Sequence, residues 1–78
     1  MPKIYFIRAE WDPEACVWVA SSDDVPGLAT EADTLEALSA KLEDMVPELL
    51  HANGHPEAAE VSFELLARRF ATTHRAAS

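Results

Sequence analysis

The sequence predicts an α+β two-layer domain, β-β-β-α-β, with one long helix on a four-stranded mixed sheet. Three observations carry this reading. Two segments rich in β-branched and aromatic residues flank a proline turn near the N-terminus. One stretch, Leu35 to Leu50, repeats apolar residues at helical spacing. A last segment returns to alternation. One helix laid on one sheet is the economical way to bury both.

The first strand is expected over Lys3–Trp11, with Ile4 and Phe6 on one face and Tyr5, Ile7, Ala9 and Trp11 on the other. Apolar groups on both faces suit a central strand. Asp12-Pro13-Glu14 is a turn, because proline presets φ near −65° and Asp12 can bond its own backbone. Ala15–Ser21 follows as strand two, with Val17 and Val19 on one face and Cys16, Trp18 and Ala20 on the other. The short connection makes an antiparallel hairpin. Ser21–Gly27 is a loop in which Pro26-Gly27 favours a type II turn. Leu28–Ala32 forms a short third strand.

Asp33 or Thr34 caps the helix, and Glu36 stands three residues after Asp33 as in a capping box. Leu35, Leu38, Leu42, Met45, Val46, Leu49 and Leu50 then form one buried stripe. Pro47 removes the N–H that would bond the carbonyl of Glu43, so a kink or loosened turn is expected there, not an end. Asn53-Gly54 followed by Pro56 is the stop signal. Glu60–Phe70 is the last strand, with Val61, Phe63 and Leu65 alternating with Ser62 and Glu64; a helix from Leu65 is the other reading. Residues 1–70 make one domain and 71–78 a disordered tail. A right-handed crossover makes the last strand parallel to strand three, and if it joins beside strand one the order is 3-2-1-4, an order that the sequence does not fix. The helix then covers one sheet face, and a second copy or a partner is needed for the other.

At 78 residues the core supplies ~3–5 kcal/mol of net stability. The charge of −8 disfavours nucleic acid and anionic membranes, whose phosphates need basic residues, and suits basic proteins or solubility. A single cysteine excludes an internal disulfide framework, and with no leader recognised the chain reads as cytoplasmic. Residues 10–36 hold eight acids and no Lys, Arg or His, whereas Arg68, Arg69 and Arg75 lie near the C-terminus with no acid. This gives an acidic body and a basic end.

Catalytic chemistry has little support, and the chain is read as no enzyme. No Gly-x-Ser-x-Gly elbow or glycine-rich phosphate cradle occurs. Cys16, read as mid-strand, is expected to be buried and inert. His51 and His55 are four apart, but Gly54 and Pro56 break the helix beside them, so they read as exposed residues of the helix end and not as metal ligands. Asp23-Asp24 could hold a hard cation, yet adjacent acids before Pro-Gly more often shape a turn. Trp11 and Trp18 have no basic neighbour and read as core or protein-interface residues. No cofactor or metal is expected.

The run Trp11-Asp12-Pro13-Glu14-Ala15-Cys16-Val17-Trp18-Val19-Ala20 leads into Ser22-Asp23-Asp24-Val25-Pro26-Gly27-Leu28. Thr30-Glu31-Ala32-Asp33-Thr34-Leu35-Glu36-Ala37-Leu38 and Met45-Val46-Pro47-Glu48-Leu49-Leu50 follow. Together, over residues 3–70, these pieces resemble a small bacterial domain-of-unknown-function family related to the HicB antitoxin N-terminal domain. The resemblance implies a HicB-like, truncated ribonuclease H architecture used for protein binding and oligomerisation. HicB-type antitoxins mask a small, basic, RNA-cleaving toxin. The family's Pro-Gly turn matches Pro26-Gly27 and its helix-capping threonine matches Thr34. Two features depart from such relatives. The residues after Gly54 are taken up by the last strand, with no DNA-binding helices, and the first strand offers only Glu10, near its end, as a carboxylate.

The function expected is therefore a non-catalytic, antitoxin-like module, a homodimer, with Asp23, Asp24, Glu31 and Asp33 steering a small basic toxin. Pro26, Gly27, Asp33, Thr34, Asn53 and Gly54 are structural turn and cap residues. The alternatives are a structural homo-oligomer with no toxin, or a minimal metal-dependent nuclease using Glu10, Asp23 or Asp24.

Overall fold

The computed structural model of the chain describes residues 3–54 and 60–75. The elements run β1 (Ile4–Asp12), β2 (Val17–Ser21), β3 (Thr30–Ala32), α1 (Leu35–Ala52) and β4 (Ser62–Arg68). The sheet order is β3-β2-β1-β4, the order that follows when the last strand joins beside strand one. β1 pairs antiparallel with β2 and parallel with β4, and β2 pairs antiparallel with β3. β4 is a strand throughout, which removes the helical reading of its second half.

The hairpin turn is wider than expected, and this moves one residue. Asp12 Oδ1 accepts the backbone N–H groups of Glu14 and Ala15 at 3.0 and 3.3 Å. The Cys16 N–H donates to the Asp12 carbonyl at 2.8 Å. This closes a loop over residues 13–16, and Cys16 leaves it at φ 57, in the left-handed region. Strand two therefore starts at Val17, not Ala15, and Cys16 is an exposed turn residue instead of a buried strand residue.

The second loop behaves as its residues dictate. Leu28 N–H donates to the Val25 carbonyl at 3.2 Å, with Gly27 at φ 86 in the position where a type II turn needs it. Val25 and Leu28 point into the core, so the third strand shortens to Thr30–Ala32. At the helix start Thr34 is the N-cap, its Oγ1 accepting from Ala37 N–H at 3.0 Å. The residue three after the cap is thus Ala37, and the Asp33–Glu36 capping box does not form. The helix continues through Pro47 to Ala52. At its end the Asn53 side-chain amide donates to the Pro26 carbonyl at 3.0 Å, tying the helix terminus to the turn, and Gly54 takes φ 90. Pro56 lies outside the described residues.

The core lies between helix and sheet. Leu38, Leu42, Val46 and Leu50, each four residues apart, meet Ile7, Ala9, Ala20, Ala32, Val25 and Leu28. Alanines on the sheet side let the leucines approach closely. Tyr5, Trp18, Phe63 and Leu65 close the rim of this layer.

Candidate functional site

The strand alternation that builds the core also builds a second surface. Side chains of even-numbered β1 residues point away from the helix, and the pairing register puts them beside Val17, Val19 and Ser21 of β2 and Ser62, Glu64, Leu66 and Arg68 of β4. No element covers this open face among the described residues. Ile4, Phe6, Val19 and Leu66 stand on it with 50%, 52%, 39% and 54% of their surface exposed. Arg8 and Glu10 of β1 and Glu64 and Arg68 of the edge strand β4 share this face, so its charges are mixed in sign.

Beyond the end of β2, the loop takes over hydrogen bonding to β1. The Ser22 hydroxyl donates to the Phe6 carbonyl at 2.6 Å, and its oxygen accepts from the N–H groups of Asp24 and Val25. Phe6 N–H donates to Asp24 Oδ2 at 2.9 Å. Asp24 thus stands in for a missing strand partner. Asp23 makes an exposed ion pair with Arg8 at 3.3 Å. Such exposed pairs contribute about 0–1 kcal/mol.

The four acids singled out as partner-binding are not one cluster. Asp23 and Asp24 follow the end of β2, whereas Asp33 follows β3 past its pairing of Ala32 with Trp18, at the opposite end of the β2–β3 ribbon. Glu31 lies between, exposed, its carbonyl accepting Lys41 Nζ at 2.6 Å. Glu10 is on the open face of β1, across the pairing from Arg68. Among the described residues no group of three or more His, Cys, Asp or Glu could hold a metal ion. His51 is exposed in the last helical turn, and His55 lies outside the described residues. Trp11 and Trp18 form an edge-to-face pair, ring centroids 5.3 Å apart, on the helix side of the hairpin. The Arg69 guanidinium lies over Trp11, 4.5 Å from its centroid. This contact was not foreseen from sequence. Only strand continuity past Arg68, which puts Arg69 on the same face as Trp11, could have signalled it.

A family model described as a domain of unknown function, DUF1902, matches residues 4–75. The chain belongs to that family. The match runs through both loops, the helix and β4 and includes the residues after β4. Among solved structures, this DUF1902 chain is similar to a hypothetical protein from the extremely thermophilic bacterium Thermus thermophilus. The two are 55% identical with a TM-score of 0.79, over 91% of this chain and 100% of the other. No curated protein matches. Among the described residues no helix of this DUF1902 domain is long and apolar enough to cross a membrane.

Proposed function

We propose that this DUF1902 domain is a non-catalytic protein-binding module that pairs through its open sheet face with a second copy of itself. The observation that carries the reading is the exposure of Ile4, Phe6, Val19 and Leu66 together on one face of a sheet whose other face holds the core. Exposed apolar side chains set among polar residues on one sheet face mark an interaction site. The local charges favour a like copy as the occupant. Arg8 and Arg68 stand among Glu10 and Glu64, so this face is close to neutral within a chain of −8 and does not repel its own copy. Light scattering on the purified chain is the test. A mass of two chains, reduced to one by Phe6→Glu with the thermal transition kept, is the expected result. A single-chain mass for the natural sequence at every concentration rejects it.

The finer reading is an antitoxin-like role in the cytoplasm, in the manner of the HicB relatives, with a small basic protein as second partner. It is supported by the sequence resemblance and by the exposed acids Asp23, Glu31 and Asp33 along the β2–β3 side. Such charges raise the association rate more than the final affinity. Gentle purification from the native host at low salt is expected to retain a stoichiometric small basic protein that salt releases. Substituting Asp23 and Asp24 with Asn then weakens that complex and flattens its salt dependence. Unchanged affinity and salt slope reject the acidic assignment.

A further inference from the structure

We propose that the segment after β4 is an exchanged arm, whose Phe70 seats in a depression on the open face of a second copy. The proposal rests on the second-copy reading above and adds the element that crosses between copies.

The arm begins where β4 stops, at Arg68. Its root is held to its own body, since Arg69 stacks on Trp11. Beyond that residue the chain to 75 has no regular structure and is exposed throughout. Phe70 is 88% exposed, the most exposed large apolar side chain among the described residues. The family match extends through the arm to residue 75, so the arm belongs to the shared domain and is not an appendage.

Beside the arm's root, at the end of β1 and β4, lies a shallow depression of about 430 Å³ lined by Arg8, Glu10, Leu66, Ala67 and Arg68. Its apolar wall is the Leu66 side chain, and its rim carries two guanidinium groups that can lie against an aromatic face, as Arg69 already does on Trp11. The chain's own Phe70 stands two residues past Arg68 and leaves this depression open. Because Arg68 belongs to both the depression and the arm's root, one two-fold axis beside β4 that seats one arm seats the other. This is the reciprocity that a symmetric dimer requires. Residues 65–78 carry Arg68, Arg69, Arg75 and no acid, whereas the depression holds two arginines and one glutamate, so the seating rests on the apolar Phe70 and not on charge attraction.

The test uses two single-cysteine chains in a Cys16→Ser background, one carrying Phe70→Cys and the other Leu66→Cys. The two are mixed and oxidised by air with copper catalysis. A disulfide between copies, formed faster by the mixture than by either chain alone, is the expected result. Truncation after Arg69 is expected to raise the dimer dissociation constant at least about tenfold, with the melting temperature of the dissociated chain unchanged. Absence of the mixed disulfide and an unchanged dissociation constant, in a full chain that still dimerises, overturns the arm and leaves open-face pairing standing. A full chain that is monomeric at every concentration overturns both.

Discussion

The two faces of the sheet are built from the same strands by the same alternation, yet they meet different fates. On the helix side Ile7, Ala9 and Ala20 are removed from water and the leucines of α1 fill the space above them. On the open side Phe6 and Leu66, each next in sequence to a residue of the covered face, remain half in solvent. Fully burying a side chain of this size is worth about 1.5–3 kcal/mol. A domain this small gains from any contact that completes the burial. The contrast separates residues that hold the fold together from residues left exposed on the open face, which we propose pair with a second copy, and each change below breaks or sharpens it.

The largest effect belongs to the covered face. Leu42 is fully buried at the centre of the helical stripe. Leu42→Ala is expected to lose about 2–5 kcal/mol, comparable to the whole stability of such a domain. Circular dichroism should show a largely unfolded chain at 25 °C. A cooperative transition within a few degrees of the parent would mean that the helix is not the main source of stability.

The matching change on the open face is Leu66→Glu, next to the half-buried Leu65 but on the opposite side of β4. It should leave the melting transition of the dissociated chain within about 0.5 kcal/mol of the parent, as for surface substitutions. It should also abolish self-association in sedimentation equilibrium. Loss of both fold and association together would show that the two faces are not energetically separate.

A smaller effect lies where the faces meet the loop. Asp24→Ala removes the acceptor that Phe6 N–H uses, and an ordinary hydrogen bond of this kind is worth about 0.5–1.5 kcal/mol. Asp24→Asn keeps an acceptor and should restore most of the loss in a urea denaturation. Equal losses from both variants would assign the effect to charge instead of to the hydrogen bond. The same pair separates Asp24's part in holding β1 from the steering role that it shares on paper with Asp23.

The architecture was legible in the residues because its signals are long. Seven apolar positions at helical spacing announce α1, and alternation about Ile7 and Ala9 announces a central strand. The direction of β4 followed from one connection rule, but its place beside β1 did not. Short-range features were less legible. Ala15-Cys16 continues an apolar run, so nothing in its pattern marks the left-handed residue; the Asp12 carbonyl and carboxylate decide it by drawing the following N–H groups into a loop. Thr34 and Asp33 are both competent caps, and the pairing of Ala32 with Trp18 is consistent with a helix one residue later. The open face was legible as an apolar surplus on β1 and β2. Its β4 members and the depression beside Arg68 needed the register of a parallel pair 58 residues apart in sequence, Ile4 with Ser62, which no local pattern carries.

The smallest change touches neither face and calibrates the others. Cys16 holds φ 57, a conformation that disfavours any residue with a Cβ, and its exposed thiol donates to the Pro13 carbonyl within the same turn. Glycine adopts this φ freely but also loses more entropy on folding. The strain relieved outweighs that loss, and Cys16→Gly is expected to stabilise the chain by about 0.5–1 kcal/mol. Its association constant should stay that of the parent, because the turn belongs to neither the core nor the open face. A rise in melting temperature with an unchanged association constant keeps folding and pairing as separate properties of the two faces. A drop in either would mean that the hairpin turn itself takes part in the contact between copies.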